Sequence, residues 1–324
     1  MNATDSATDR AHKLSSVEQI IAGFEEHAYI SSERIATAVY LSQHLEKPVL
    51  VEGPAGVGKT ELAKTSAAYL GLPLIRMQCY EGLDESKALY EWKYAKQLLY
   101  TQILKEHLHA LTGDTKELSV ALERLQSLDD IFFSEQFLEP RALLKALREP
   151  RGCVLLIDEI DKADEEFEAF LLEILSDYQV TVPELGTIEA DIKPLVFLTS
   201  NNTREMSDAL KRRCLHLHIP FPNRNLETRI VAQRVPEVPK RLRLQLVNFV
   251  QGLRELDLRK VPSVAETIDW ARTLLLMHTD EVGPDIVRAT LNVLLKFEED
   301  IETAEREVAA LTRQARDPGA LRPA

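Results

Sequence analysis

Residues 53–60 carry a spacing that suits phosphate binding. They read Gly-Pro-Ala-Gly-Val-Gly-Lys-Thr and fit the pattern G-x-x-x-x-G-K-[ST] at every fixed position. The apolar run 48–52 precedes them and predicts a strand, and residues 61–70 predict a helix. Glycines let backbone N–H groups curve around a phosphate, and a helix N-terminus adds positive potential there. The pattern therefore predicts a nucleotide phosphate loop, and a chance glycine-rich turn is the weaker alternative.

Two residues of this loop would carry most of its chemistry. The Lys59 ammonium can reach the outer phosphates as a point charge, and the Thr60 hydroxyl is an oxygen ligand suited to Mg²⁺. The predicted nucleotide-binding residues are Gly53, Pro54, Ala55, Gly56, Val57, Gly58, Lys59, Thr60 and Glu61.

Two acidic residues, Asp158 and Glu159, end the apolar run 153–159. In a parallel α/β sheet, ligands bind beyond the carboxyl ends of the strands, so both carboxylates would face the same site. We expect Asp158 to hold Mg²⁺, directly or through water, and Glu159 to orient and polarise an attacking water. The alternative is a strand that ends in solvated acids, which the nearby phosphate loop disfavours.

Two weaker signals follow further along the chain. Asn201 ends the apolar run 195–200, where its amide could hold water against a γ-phosphate, although asparagine is also a common turn residue. Arg212 and Arg213 precede the last predicted strand, 215–220. Alone, this pair favours a structural cap or a solvated surface, but it could also supply positive charge to the γ-phosphate of a neighbouring subunit.

The elements that must position these residues alternate along the first two thirds of the chain. Short apolar segments separated by helical segments predict an α/β fold with a parallel sheet covered on both faces. The predicted strands are 48–52, 73–79, 153–159, 195–200 and 215–220.

The predicted organisation has three parts. Residues 1–14 are expected to form a disordered tail, and 15–221 a nucleotide-binding domain that is followed by a smaller, all-helical lid domain over 222–324. Within the first domain, 82–148 predict a long helical insert. Residues 176–194, with β-branched residues around a proline and a glycine, predict a hairpin.

Composition narrows the class of protein. The chain has 324 residues and a net charge of −13, which argues against nonspecific binding to a nucleic-acid backbone. The three cysteines form no CxxC pair and are expected in the core, as suits a reducing compartment. Neither a signal peptide nor a membrane span is predicted, so a cytoplasmic location is the default.

The acidic run from Asp161 to Glu168 predicts a solvated helix start.

The order of these elements resembles that of the AAA+ ATPases, a group of P-loop NTPases. Within them, segments 78–84 (Gln-Cys-Tyr-Glu-Gly-Leu-Asp) and 88–92 (Ala-Leu-Tyr-Glu-Trp) resemble the MoxR family. Segments 198–201 and 209–214 look most like its CoxD-like branch. The resemblance runs from about residue 15 to about residue 300, and its phosphate-loop and Asp-Glu motifs are specific to nucleotide hydrolysis.

The resemblance implies roles for individual residues. Lys59 and Thr60, in the phosphate loop, would bind the phosphates of ATP and Mg²⁺. Asn201 would be the first sensor of the γ-phosphate, with Asn202 the weaker candidate. Arg213 would be the arginine finger, with Arg212 as the alternative.

One departure from the family pattern concerns the lid. MoxR-like proteins carry a second-sensor arginine at the start of a lid helix, but the matching stretch here, 262–266, has none. Arg259 and Lys260 lie just upstream and are the candidates to replace it.

The resemblance also implies a function. A hexameric ring would hydrolyse ATP as a chaperone-like remodeller, with the 176–194 hairpin near its pore. It would act with a von Willebrand factor A domain protein to mature a client metalloenzyme, such as a molybdenum hydroxylase of the carbon monoxide dehydrogenase type. A phosphate-loop kinase and a non-hydrolysing nucleotide-dependent scaffold remain as alternatives.

Overall fold

The computed structural model describes residue 10 and residues 12–111, 135–182 and 185–316. Its strands, in chain order, are β1 (Val49–Glu52), β2 (Leu74–Gln78), β3 (Tyr90–Trp92), β4 (Leu138–Pro140), β5 (Val154–Asp158), β6 (Gln179–Val182), β7 (Gly186–Glu189), β8 (Leu195–Ser200) and β9 (Leu215–His218). Its helices are α1 (Val17–Glu26), α2 (Glu33–Leu45), α3 (Lys59–Leu70), α4 (Glu85–Ala88), α5 (Tyr94–Leu111), α6 (Ala142–Leu147), α7 (Glu165–Asp177), α8 (Asp208–Arg213), α9 (Arg224–Arg234), α10 (Lys240–Arg254), α11 (Val264–Leu276), α12 (Pro284–Leu294) and α13 (Glu298–Arg316).

The central sheet is parallel and has the strand order β2-β5-β8-β1-β9. All five of these strands lie where the apolar runs predicted them. Side chains alternate between the two faces of a strand, so a strand buried on both faces must be apolar throughout. Leu156 and Phe197 pack against α1 and α3, whereas Ile157 and Leu198 pack against α6 and α7. The predicted α/β architecture, with helices on both faces, is confirmed.

The segment between β2 and β5 differs in part from its prediction. We expected a mostly helical insert over 82–148, and α4, α5 and α6 lie there, but β3 and β4 also form a small antiparallel pair. Aromatic side chains on alternate residues of β3 favour a strand, and Trp92 is buried while Tyr90 packs edge-on against it. The part of the predicted insert at 112–134 lies outside the described residues.

Two antiparallel strands, β6 and β7, pair within the segment for which a hairpin was expected. The connection between them includes residues 183–184, which lie outside the described part of the chain. Val180 and Val182 are buried, whereas Thr181 and Thr187 pair on the exposed face.

The prediction of a disordered tail over 1–14 is wrong at its C-terminal end. Leu14 is fully buried among the residues of α1 and α3, and Arg10 donates a hydrogen bond to the Lys193 carbonyl (2.8 Å). The Tyr69 hydroxyl donates to the Lys13 carbonyl (2.7 Å) and fastens this segment to α3. Apolar burial of Leu14 therefore extends the folded domain toward the N-terminus. Residues 1–9 and 11 lie outside the described residues.

Helices α9 to α13 form a core of their own, separate from the cores on the two faces of the sheet. Phe249 and Trp270 pack at its centre with ring centroids 5.3 Å apart, and the Trp270 indole donates to the Thr290 hydroxyl (2.8 Å). This helical unit follows the sheet domain in the order that the sequence predicted. Residues 317–324 of the predicted lid lie outside the described residues.

Cys79, Cys153 and Cys214 are free and buried, as expected for core residues. Burial raises the pKa of each thiol to about 12. Over the described parts of the chain, we find no helix with both the length and the apolar character that a bilayer crossing requires.

Candidate functional site

The phosphate loop connects β1 to α3, as predicted. A Cβ atom at Gly53 would lie 2.1 Å from the Ile219 carbonyl oxygen, and φ at this residue is +149°, so only glycine fits. Gly58 caps α3 with φ +99°, and Lys59 is the first residue of the helix. The free N–H groups of the first turn of α3 therefore point into the loop, where an anion would be stabilised.

Lys59 lies at the centre of the loop with its ammonium among oxygen atoms. Its Nζ donates to the carbonyls of Gly53 (2.6 Å) and Pro54 (2.7 Å) and to Oδ1 of Asn201 (2.8 Å). Burial lowers the pKa of Lys59, and nearby carboxylates, Asp161 first among them, oppose that shift. The Lys59 ammonium thus links the phosphate loop to the end of β8. This contact places Asn201 beside the loop, as a role at the γ-phosphate would require.

The Asp158 carboxylate accepts hydrogen bonds from two hydroxyl groups. Its Oδ1 accepts from Thr199 (2.5 Å) and from Thr60 (3.1 Å). The Asp158 side chain is only 5 % exposed, so this carboxylate is held in one orientation. Thr60 and Asp158, predicted to act together on Mg²⁺, are therefore adjacent, and a hydroxyl beside a carboxylate forms the hard oxygen donor set that Mg²⁺ prefers.

Arg76, on β2, contacts the same carboxylate and was not predicted from the sequence. Its Nε and one terminal nitrogen donate to Asp158 Oδ2 at 3.1 and 2.6 Å. The same terminal nitrogen donates to the Gln78 side chain (2.7 Å). Arg76 and Gln78 are polar residues at alternate positions of β2, so they share one face of the strand. That pattern was available in the sequence as a signal.

Glu159 adopts a left-handed backbone conformation, with φ +57°. Such a conformation is costly for a residue with a Cβ and persists only where the surrounding structure enforces it. The Thr199 hydroxyl accepts from the Glu159 N–H (2.9 Å), while the carboxylate meets Gln78 (2.8 Å) and Lys162 (2.5 Å). Two donors on separate elements thus position the carboxylate predicted to act on water.

Asp161 organises the loop that carries Asn201. Its Oδ2 accepts from the backbone N–H of Asn201 (3.2 Å) and of Thr203 (3.1 Å) and from the Thr203 hydroxyl (2.5 Å). Asp161 is buried, and so is Glu168. The expectation of a solvated acidic run is therefore wrong at both of its ends, because each carboxylate turns inward to accept hydrogen bonds; Glu165 and Glu166 are exposed.

A cavity of about 540 Å³ joins these groups to the helical unit. Its lining includes Arg76, Asp158, Glu159, Asn201 and the loop residues from Ala55 to Glu61. Apolar side chains also line it, among them Tyr29, Ile30, Pro220, Leu226, Ile230 and Ile268. A cavity that combines polar groups with apolar walls suits a nucleotide, because its phosphates are charged and its base is largely apolar.

Helix α11 begins directly over the phosphate loop. A Cβ atom at Gly56 would lie 2.4 Å from the Ser263 hydroxyl oxygen, so the loop and the helix N-terminus touch because Gly56 has no side chain. Ser263 and Glu266 form a capping box that fixes this end of the helix. A shift of the α11 N-terminus would therefore displace the phosphate loop.

The candidates for the missing second-sensor arginine do not line the cavity. The Arg259 guanidinium stacks on the Phe297 ring at 4.2 Å, and Lys260 pairs with Glu266 at 3.7 Å. The helical unit instead presents Arg234 and Arg272 to the cavity. These arginines were missed because each lies deep within its helix or at its C-terminal end, far along the chain from the loop.

Arg212 and Arg213 do not line this cavity. The Arg213 Nε donates to the Ser176 hydroxyl (2.6 Å), and both arginines are exposed. Asn202, with φ +58°, lies at a bend and does not line the cavity, whereas Asn201 does.

Comparison with known families agrees with this geometry. The family described as the AAA domain (dynein-related subfamily) matches residues 48–214, which include the phosphate loop and the four sheet strands β1, β2, β5 and β8. The chain belongs to this family. Its AAA domain is thus a nucleotide-binding domain of the P-loop type, with a helical unit after it.

Relatives of this AAA protein include two uncharacterized staphylococcal proteins. One, from Staphylococcus haemolyticus, is 26% identical over 275 residues, covering 83% of this chain and 89% of its own length. Another, from Staphylococcus epidermidis, is 24% identical over 274 residues, covering 82% and 89%. Among solved structures, the Thermotoga maritima RuvB Holliday junction branch migration motor is 18% identical, with a TM-score of 0.44 over 83% of this chain and 70% of that chain.

Proposed function

We propose that this AAA protein binds and hydrolyses ATP. The proposal rests on two hydrogen bonds in one cavity at the carboxyl end of the sheet: Thr60 donates to Asp158, and Lys59 donates to Asn201. A phosphate loop alone would serve kinases and switches equally well. A water-directing glutamate beside it, Glu159, favours hydrolysis.

The residues of the site would divide into those that bind the phosphates and those that position the attacking water. The first turn of α3 and the Lys59 ammonium would bind the β- and γ-phosphates and balance the charge that develops on them. Glu159, held by Gln78 and Lys162, would orient the attacking water and accept its proton. Asn201 would hold that water, or the γ-phosphate itself, in line.

Thr60 and Asp158 fit Mg²⁺ because they place a hydroxyl and a carboxylate side by side. When bound with the nucleotide, the metal would neutralise charge on the β- and γ-phosphate oxygens.

We further propose that the site is completed by a second copy of the chain. Arg213, or Arg212 as the alternative, would reach the γ-phosphate bound to its neighbour in a ring, which we expect to be a hexamer. Both arginines are exposed and do not line their own cavity, which supports a role in trans. An arginine finger contributes roughly 10³–10⁵ in rate to other NTPases.

The client assignment rests on the MoxR and CoxD-like resemblance of segments 78–84, 88–92, 198–201 and 209–214. We propose a cytoplasmic, chaperone-like remodeller that acts with a von Willebrand factor A domain protein on a metalloenzyme, of the molybdenum hydroxylase type. The net charge of −13 gives no reason to expect a nucleic-acid partner.

The decisive experiment compares phosphate release by the wild-type protein with that of Glu159→Gln. We expect release to fall at least ~100-fold, because the variant keeps the shape of the side chain but loses the base. ATP binding should persist, so the variant should retain ATP and trap its client. Glu166→Gln removes an exposed carboxylate from α7 and should leave release unchanged.

Each alternative function predicts a different result. Phosphate that appears on a small-molecule acceptor, rather than free in solution, would identify a kinase. ATP that is bound but never cleaved by the assembled wild-type protein would identify a scaffold. Equal turnover in wild type and Glu159→Gln would overturn the hydrolytic role of Glu159.

A further inference from the structure

Both oxygens of the Asp158 carboxylate accept hydrogen bonds from other side chains. Oδ1 accepts from Thr199 and Thr60, and Oδ2 accepts two hydrogen bonds from Arg76. Hydrogen bonds from a guanidinium to a carboxylate are among the stronger ones in proteins. Arg76 therefore supplies the positive charge that compensates this buried carboxylate.

The same carboxylate is the one expected to hold Mg²⁺. A divalent ion beside Asp158 would bring two further positive charges close to the Arg76 guanidinium, and like charges at that separation repel. The ion and the guanidinium would also compete for the lone pairs of Oδ2. Occupation of Asp158 by one cation thus disfavours occupation by the other.

We propose that Arg76 is a built-in counter-ion that occupies Asp158 until magnesium and nucleotide displace it, and so sets the magnesium concentration at which the site loads. The inference rests on the proposed function, since it takes Asp158 as a magnesium residue. It assigns to a residue of β2 a role outside the phosphate-loop and Asp-Glu motifs.

The surroundings of Arg76 allow this exchange. Its side chain is 50 % exposed and lines the cavity, so the guanidinium can leave Asp158 without opening the core. β2 is an edge strand of the central sheet, and no described strand pairs with its outer side. The Gln78 oxygen already accepts from Arg76 and would remain as a partner after the exchange.

The test measures magnesium dependence of nucleotide affinity, not turnover. A fluorescent, slowly hydrolysed ATP analogue would be bound to the full chain in EDTA and then across a MgCl₂ series, with anisotropy as the readout. For Arg76→Met we expect half-maximal magnesium enhancement at a roughly tenfold lower concentration, a modest effect because the arginine is half exposed. Arg76→Lys keeps a charge but loses the two-point contact, and should fall between.

Arg229→Met is the matched control. It removes an exposed arginine that pairs with Glu25 (2.9 Å) and does not line the cavity. We expect its magnesium midpoint to equal that of the wild type, even if its affinity changes. Thermal melts of the nucleotide-free variants verify that each one is folded before it is titrated.

Two outcomes would overturn the inference while leaving the proposed function intact. One is a magnesium midpoint for Arg76→Met and Arg76→Lys that equals that of the wild type. The other is an equal loss of affinity with and without magnesium, which would make Arg76 a phosphate ligand. Failure of the proposed function has a separate signature: the wild-type protein would bind no nucleotide, or Asp158→Asn would retain the full magnesium effect.

Discussion

At the scale of the residue, Asp161 shows how one buried carboxylate can position a site that it does not enter. It accepts three hydrogen bonds from Asn201 and Thr203, and among the carboxylates near Lys59 its charge acts most strongly on that ammonium. It does not line the cavity. Its role would therefore be exerted through the loop that holds Asn201.

Asp161→Ala should lower the catalytic rate roughly tenfold or more and change nucleotide affinity far less, because the Asn201 loop loses its acceptor while the phosphate loop stays. Asp161→Asn keeps one acceptor oxygen for the same donors and should recover most of the rate. Steady-state phosphate release, analysed for kcat and KM separately, provides the measurement. A parallel loss in both variants would instead assign the effect to the negative charge.

At the scale of the element, the helical unit is organised by a buried ion pair. Arg254 on α10 makes two hydrogen bonds to Glu227 on α9, both at 2.7 Å, and their side chains are only 8 % and 0 % exposed. Arg254 also donates to the Pro262 carbonyl (2.7 Å), just before the α11 cap that touches Gly56. This pair thus holds α11 over the phosphate loop.

Arg254→Met should destabilise the helical unit by about 3–5 kcal/mol, because it leaves Glu227 buried and uncompensated. The double variant with Glu227→Leu should recover much of that loss. Urea unfolding measures both, followed by the fluorescence of the buried Trp270 in a Trp92→Phe background, since Trp92 would otherwise contribute to the signal.

The same helix provides the control for this prediction. Arg241 is 74 % exposed in its pair with Glu281, so Arg241→Met should cost under about 1 kcal/mol. Similar losses for Arg241→Met and Arg254→Met would contradict the importance of burial.

At the scale of the whole molecule, the two halves of the proposed site lie on different parts of the surface. The cavity lies at the carboxyl end of the sheet, whereas Arg213 is the last residue of α8 and donates to Ser176, which does not line the cavity. A heterologous contact between such surfaces is the kind that closes into a ring.

Mixing Lys59→Ala and Arg213→Ala subunits should therefore restore activity that neither variant has alone. In a random equimolar ring, about a quarter of the interfaces would combine an intact loop with an intact finger. ATPase activity after mixing, with assembly checked by light scattering, is the measurement.

Replacing Arg213→Ala by Arg212→Ala in the same mixture tells which arginine reaches the neighbour. Wild-type turnover by either variant alone would remove its assigned role, and mixtures as inactive as their components would contradict a shared site.

The sequence by itself determined the sheet, the phosphate loop and the Asp158–Glu159 pair. These features are local. A phosphate-loop pattern needs eight consecutive residues, and a buried strand is recognised from its unbroken apolar run. The helical unit followed in the same way from its periodicity.

Only the tertiary structure decided which distant residues join the site. Arg76 and Arg272 reach it from β2 and α11, whereas Asp161 orders the Asn201 loop from outside the cavity. No spacing along the chain relates these residues to Lys59. It also showed that Leu14 belongs to the core and that Arg259 and Lys260 are engaged elsewhere. Contacts between separate segments depend on how the elements pack, and a single sequence carries no local pattern for them.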